Sequence, residues 1–208
     1  MPVYLKKEEA NGGILAVWEI TESVEELLLQ LNLSGAEMDR LNSFRLDKRK
    51  LEFLATRCLL KALLQKDPVI SYLDSGRPVL ENSSFNLSIS HTKGFAAVAL
   101  SESEFSGVDI EHPSERVIKV YDRFVSADEK AFIPESQQLQ YFTLLWSLKE
   151  AMYKIFDEKS VIFNRDLKCY PFKLSEEGDI NALFCLNKEV ELTYKYITSK
   201  DFYLVYHC

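Results

Sequence analysis

The sequence predicts an α+β fold built from two similar halves in one chain, and three observations carry that expectation. Short apolar stretches of strand length recur in both parts, among them 14–20, 85–90, 95–100 and 190–197. Each part also holds one long stretch with apolar residues at helical spacing, one from Asp47 and one from about Leu139 to Phe156. Finally, the order strand, short helices, long helix, closing strands appears twice, on either side of about residue 101, although no residues match between the copies. The expected halves are 1–101 and 102–208. Packed face to face, they would form a pseudo-two-fold pair with a site in the groove between them. No linker, low-complexity run or charge block separates them, so one compact unit is expected.

In chain order, 14–20 reads as a buried strand. Thr21 can cap a short helix running through Leu27 to Leu31, and Ser34 with Glu37 has capping-box spacing for the next. The long helix from Asp47 places Leu51, Leu54, Ala55, Cys58, Leu59 and Ala62 on one face, and Pro68 lies beyond its end. Gly76 and Pro78 mark a turn at 75–78. Strands 85–90 and 95–100 are joined at Thr92-Lys93-Gly94. The second half opens with a strand at 108–111 and short helices near 115–124 and from Ala127, where Ser126 and Glu129 again have capping-box spacing. After the long helix come strands near 169–174, 183–186, 190–197 and 202–206.

Composition sets the broad class. With 208 residues, 47% apolar and 27% charged, the chain can bury a full core as a soluble protein. A formal charge of −7 speaks against general nucleic-acid binding. The four cysteines form no CxxC pair, and three histidines cannot complete the set, so structural zinc is not expected. Neither a signal peptide nor an apolar run long enough to span a membrane is legible, and a reduced cytoplasmic setting is expected.

The chemistry gathers between Ser106 and Lys154. On the strand Gly107-Val108-Asp109-Ile110-Glu111, the carboxylates of Asp109 and Glu111 share a face opposite Val108 and Ile110. Two carboxylates on one face of an apolar strand are solvated, paired with a basic residue, or gathered around a cation. In Trp146-Ser147-Leu148-Lys149-Glu150-Ala151-Met152-Tyr153-Lys154, Glu150 and Lys154 share a helix face. Taken alone they could be an exposed salt pair. The stripe Leu145, Leu148, Met152 and Phe156 lies on another face and would anchor the helix, leaving Glu150 and Lys154 at its edge.

Taken together, these segments resemble the 4′-phosphopantetheinyl transferases. That family carries a strand of the form Gly-Val/Ile-Asp-Ile-Glu and, later, a helix Trp-Ser-x-Lys-Glu-Ala-x-x-Lys. Gly107–Glu111 and Trp146–Lys154 match both in order. Ser88-Ile89-Ser90-His91 is similar to the family's Ser-x-Ser-His strand end. Gly76-Arg77-Pro78 is similar to its Gly-Lys-Pro turn, and 123–129 to its Arg-Phe-Phe-Ser-x-x-Glu segment. The resemblance covers roughly 45–157, and the length is similar to the larger, monomeric, pseudo-dimeric branch.

The resemblance implies transfer of the phosphopantetheine arm of coenzyme A to a serine of an apo acyl or peptidyl carrier protein, with Mg²⁺ as the metal. By position it implies Asp109, Glu111 and Glu150 as metal ligands, Glu150 also as general base, and Lys154 as a phosphate contact. Ser90 and His91 would meet the coenzyme's phosphates, and Arg77 its adenine or ribose end. Lys48, Arg49 and Arg57, on the basic helix, are candidates for the 3′-phosphate. The carrier would meet the region 121–142, which holds Phe124, Phe132, Ile133 and Tyr141, with Lys119, Arg123 and Lys130 as local cations; taken singly, each of those aromatic and apolar residues reads more readily as core. Two other readings share part of this evidence: a non-catalytic relative that binds coenzyme A or a carrier, and a metal-dependent nucleotide phosphohydrolase.

Overall fold

The computed structural model describes residues 3–208, and the fold is α+β. Two compact units are distinguished: a first ending at Ser103 and joined by Cys208, and a second over Glu104–His207.

In the first unit, β1 (Val3–Glu8) and β2 (Ile14–Glu19) form a hairpin, followed by α1 (Val24–Leu28), α2 (Gly35–Ser43) and α3 (Asp47–Leu64). A small hairpin of β3 (Ile70–Tyr72) and β4 (Pro78–Leu80) comes next, then β5 (Asn86–Thr92) and β6 (Phe95–Ser101). The main sheet is antiparallel, in the order β1-β2-β6-β5. Its central strands are almost entirely apolar and buried, and α3 packs on them through Leu54, Ala55, Cys58 and Leu59. α3 stops at Leu64 because Gln65 turns left-handed, with φ 56°.

The second unit begins with β7 (Gly107–Glu111) and two 3₁₀ turns, Val117–Lys119 and Tyr121–Arg123. After them come α4 (Ala127–Ala131), a 3₁₀ turn at Glu135–Gln137, α5 (Gln138–Phe156) and α6 (Phe163–Asp166). Four strands close the unit: β8 (Leu167–Cys169), β9 (Glu177–Phe184), β10 (Val190–Thr198) and β11 (Tyr203–His207). They make an antiparallel sheet in the order β7-β11-β10-β9-β8, and α5 lies across β7, β11 and β8. The buried stripe of α5, Leu145, Leu148 and Met152, meets Leu167, Ile180, Tyr194 and Val205 in the core. Phe156 stacks on Phe184, with centroids 3.9 Å apart.

Both capping boxes read from the sequence are present, at Ser34/Glu37 and Ser126/Glu129. The structure adds a third, at Ser23/Glu26. The cap of α1 is Ser23, not Thr21, because Glu26 stands three residues after Ser23 and bonds back to its backbone. β1 was not expected. The turn at 75–78 proves to join a hairpin, and β9 begins well before the expected 183. Among the described residues, no helix is long and apolar enough to cross a membrane.

Candidate active site

Gly107 determines how the site is built. A Cβ at this position would lie 2.5 Å from the Ala151 carbonyl oxygen and 2.7 Å from Ile155 Cγ1. Only glycine allows α5 to lie this close on β7. The close approach brings one face of α5, with Trp146, Glu150 and Lys154 at intervals of four, over the carboxylates of β7.

Two side chains of α5, one on each side of Glu150 along the helix, bond to β7. Trp146 Nε1 donates to Glu111 Oε1 at 3.0 Å. One turn beyond Glu150, Lys154 Nζ donates to Asp109 Oδ1 at 2.8 Å and to the Val108 carbonyl at 2.9 Å. Asp109 is buried, and this ammonium lies against its carboxylate. Burial pushes the Glu150 carboxyl up to about 7; the neighbouring charge of Asp109 adds to this, Lys154 opposes it, and Glu111 raises it further. The structure therefore brings together all four residues expected here. Lys154 holds the Asp109 carboxylate and Trp146 that of Glu111. Among the described residues, no group of three or more His, Cys, Asp or Glu side chains closes on a point that could hold a metal ion. The donor set is nevertheless of the all-oxygen kind that Mg²⁺ accepts, and the charges of Asp109 and Glu111 add to what burial does to Glu150.

Lys149, beside Glu150, faces the opposite way. Its ammonium is fully buried and donates to Glu129 Oε2 at 2.8 Å, to the Phe124 carbonyl at 2.6 Å and to the Phe163 carbonyl at 3.2 Å. Glu129 also accepts from the backbone of Ser126 and of Cys169. This knot fixes α5 against α4, α6 and β8.

Next to Glu111 and Trp146 lies a cavity of about 400 Å³, lined chiefly by Val117, Val120, Phe124 and Thr143, with Glu111, His112 and Arg116 supplying polar groups. Nothing in the sequence pattern marked it, because its walls come from a 3₁₀ segment and from one face of α5. Of the residues expected to meet a carrier, Phe124, Ile133 and Tyr141 are core. Lys130 lies 3.9 Å from the centroid of the Tyr121 ring, while Lys119 and Arg123 are exposed.

The sequence of the second unit matches the family model described as the 4′-phosphopantetheinyl transferase superfamily over residues 106–204. Over those residues the chain is similar to that superfamily. It is 32% identical over 108 residues to the 4′-phosphopantetheinyl transferase psf-1 of Bacillus pumilus, covering 50% of this chain and 45% of that protein. It is 26% identical over 157 residues to the 4′-phosphopantetheinyl transferase HetI of a Nostoc species, covering 66% of each. These matches span from just under half to about two thirds of the relatives' lengths.

Outside the matched residues 106–204, the first unit gathers a separate group. Arg49 Nη1 lies 2.9 Å from Glu52 Oε2 and 3.2 Å from His91 Nε2. Lys48 Nζ is 3.6 Å from Glu52 Oε1, and His91 Nδ1 is 3.5 Å from Glu52 Oε2. Three of the expected phosphate contacts thus surround a carboxylate that the sequence reading passed over. Its only signal was the helical spacing of Lys48 and Arg49 to Glu52. Ser90 precedes His91 on β5, so its side chain leaves the opposite face of the strand, where it is buried. Arg77 follows Gly76 in the β3–β4 loop, where Gly76 takes φ +91°. Arg57 lies buried on α3. Its guanidinium is 1% exposed, donates to Glu37 Oε1 at 2.9 Å and lies 3.4 Å from the Phe53 ring centroid. Its Nη1 donates to the Phe53 carbonyl at 3.2 Å, and its Nη2 is buried with no hydrogen-bond partner among the described residues.

Proposed function

We propose that this protein transfers the 4′-phosphopantetheine arm of coenzyme A to a serine hydroxyl of an apo acyl or peptidyl carrier protein, releasing adenosine 3′,5′-bisphosphate. The observation that carries this reading is Glu150, a carboxyl raised to about 7 between Asp109, Glu111 and Lys154 within the residues that match the superfamily. The names of the matched relatives support the reaction class.

A carboxylate with a pKa near the working pH can accept a proton and still be ionised often enough to act. In the proposed reaction, the serine oxygen forms a bond to the β-phosphorus of the coenzyme's pyrophosphate. The serine proton passes to Glu150. The bond from that phosphorus to the bridging oxygen breaks, and adenosine 3′,5′-bisphosphate leaves with the electron pair. Lys154, already aimed at β7 from α5, offsets charge on the departing phosphate. Asp109, Glu111 and Glu150 would hold Mg²⁺, which when bound polarises the pyrophosphate and neutralises its charge. Lys48, Arg49 and His91 would receive the coenzyme's outer phosphate, and Trp146 keeps Glu111 oriented.

The test is incubation with coenzyme A, Mg²⁺ and several apo carrier proteins, read by intact mass. A carrier gaining the mass of one phosphopantetheine is expected. Coenzyme A binding with no gain on any carrier would favour a non-catalytic binder. Coenzyme A cleavage without a carrier would favour a phosphohydrolase.

A further inference from the structure

In the first unit, Glu52 stands out because its side chain is only 5% exposed while Lys48, Arg49 and His91, which face it, are 67%, 52% and 35% exposed. We propose that Glu52 is a positioning residue: its buried carboxylate gathers Lys48, Arg49 and His91 into one anion site matched to a phosphate monoester. This rests on the reading that the protein uses coenzyme A, whose 3′-phosphate is such a group.

The argument begins with where the cations lie. Lys48 and Arg49 occupy the first turn of α3, where the helix dipole disfavours positive charge. Their placement therefore costs helix stability, and Glu52, one turn along, offsets the cost. A buried carboxylate is rigid, and both its oxygens are used: Oε2 toward Arg49 and His91, Oε1 toward Lys48. Arg49 also bridges to His91 on β5, so helix and strand present one cluster. The partly exposed heads are held before any ligand arrives, which lowers the ordering cost of binding. Lys48 and Arg49 exceed Glu52 by one positive charge. That surplus suits a monoester dianion better than a singly charged diester. Glu52 touches neither the ligand nor the reacting atoms.

The test compares coenzyme A with 3′-dephospho-coenzyme A, which lacks only that monoester, by calorimetry on the full chain with Mg²⁺. The wild-type protein is expected to prefer coenzyme A. Glu52→Gln, nearly isosteric, should weaken coenzyme A by about tenfold, in keeping with the loss of preorganised charge-assisted contacts, and leave the dephospho form nearly unchanged. Glu52→Asp should restore part of the preference. A merely structural Glu52 would weaken both ligands alike. If the wild type binds no coenzyme A, the functional reading falls and this inference falls with it. If the wild type binds both ligands equally, the monoester assignment is overturned. A Glu52→Gln protein that keeps the wild-type preference, or binds coenzyme A more tightly, overturns the role of Glu52 and leaves the functional reading standing. Should neither variant fold, the Arg49 guanidinium signals of the wild type decide: hindered rotation supports the anchor, and free rotation refutes it.

Discussion

Lys154 Nζ lies 2.8 Å from Asp109 Oδ1, joining the last turn of α5 to the middle of β7. Of the three charges acting on Glu150, Lys154 alone lowers its pKa, while Asp109 and Glu111 raise it. Lys154→Met should therefore push the Glu150 carboxyl above its present value of about 7. The acidic limb of the pH–rate profile for carrier modification should shift upward. The maximal rate should fall by roughly 10²-fold, as for loss of one charge-stabilising group. An unmoved limb would separate Lys154 from Glu150.

The same carboxyl makes metal-free stability depend on pH. Glu150 is raised from an ordinary 4.5 to about 7, so between those values the folded protein holds a proton that the unfolded chain has released. Stability is then fully present below about 4.5 and declines as pH rises through about 7. The full decline attributable to this group is on the order of 3 kcal/mol. Glu150→Gln should remove that decline, visible as urea midpoints that stay level from pH 5 to 8. Mg²⁺ should stabilise the wild type more at pH 8 than at pH 5, and should do so much less in Glu150→Gln. A wild-type midpoint independent of pH in this range would contradict the assignment.

Gly107→Ala tests the approach of helix to strand. The added methyl meets the Ala151 carbonyl, which cannot rotate away without disturbing α5. Overpacking of this kind costs about 1–3 kcal/mol and shifts the helix. Because Trp146, Glu150 and Lys154 all ride on α5, turnover should fall by more than the loss of folded protein explains. Circular dichroism melts give the folded fraction, and carrier modification at a temperature where the variant stays folded gives the remainder. Full activity in that folded protein would show that the close approach does not set the geometry.

What could be read in the sequence was local. Ser34/Glu37 and Ser126/Glu129 were legible because a capping box is a four-residue pattern that tertiary contacts seldom override. The carboxylates of β7 and the α5 face were legible for the same reason: each is a periodicity within one element. β1 was not, because its six residues alternate between half-buried and exposed and carry three charges. Roles that depend on a second element were also hidden. Arg57 reads as one more basic residue on α3 until Glu37 closes over it from α2. Glu52 reads as an exposed helix partner until His91 arrives on β5. The cavity beside Trp146 needs walls from two segments, and no single stretch signals it.

The buried pair of Lys149 and Glu129 gives the last prediction. Burial lowers the Lys149 pKa and the Glu129 charge opposes that, while the Phe124 and Phe163 carbonyls accept from the same ammonium. Lys149→Met would leave Glu129 buried beside an uncompensated cavity wall, at a cost of about 3–5 kcal/mol. For a chain of this size that is a melting temperature lower by roughly 10 °C. Replacing both residues, Lys149→Met with Glu129→Leu, removes the stranded charge. Full recovery is still not expected, because Glu129 also caps α4 through the Ser126 backbone and accepts from the Cys169 backbone. Those two donors would lose their acceptor, so the double variant should regain less than half of the lost stability. A double variant melting at the wild-type temperature would show that the pair contributes nothing that apolar packing cannot supply. The knot's role in fixing α5 against α4 and β8 would then have to be abandoned.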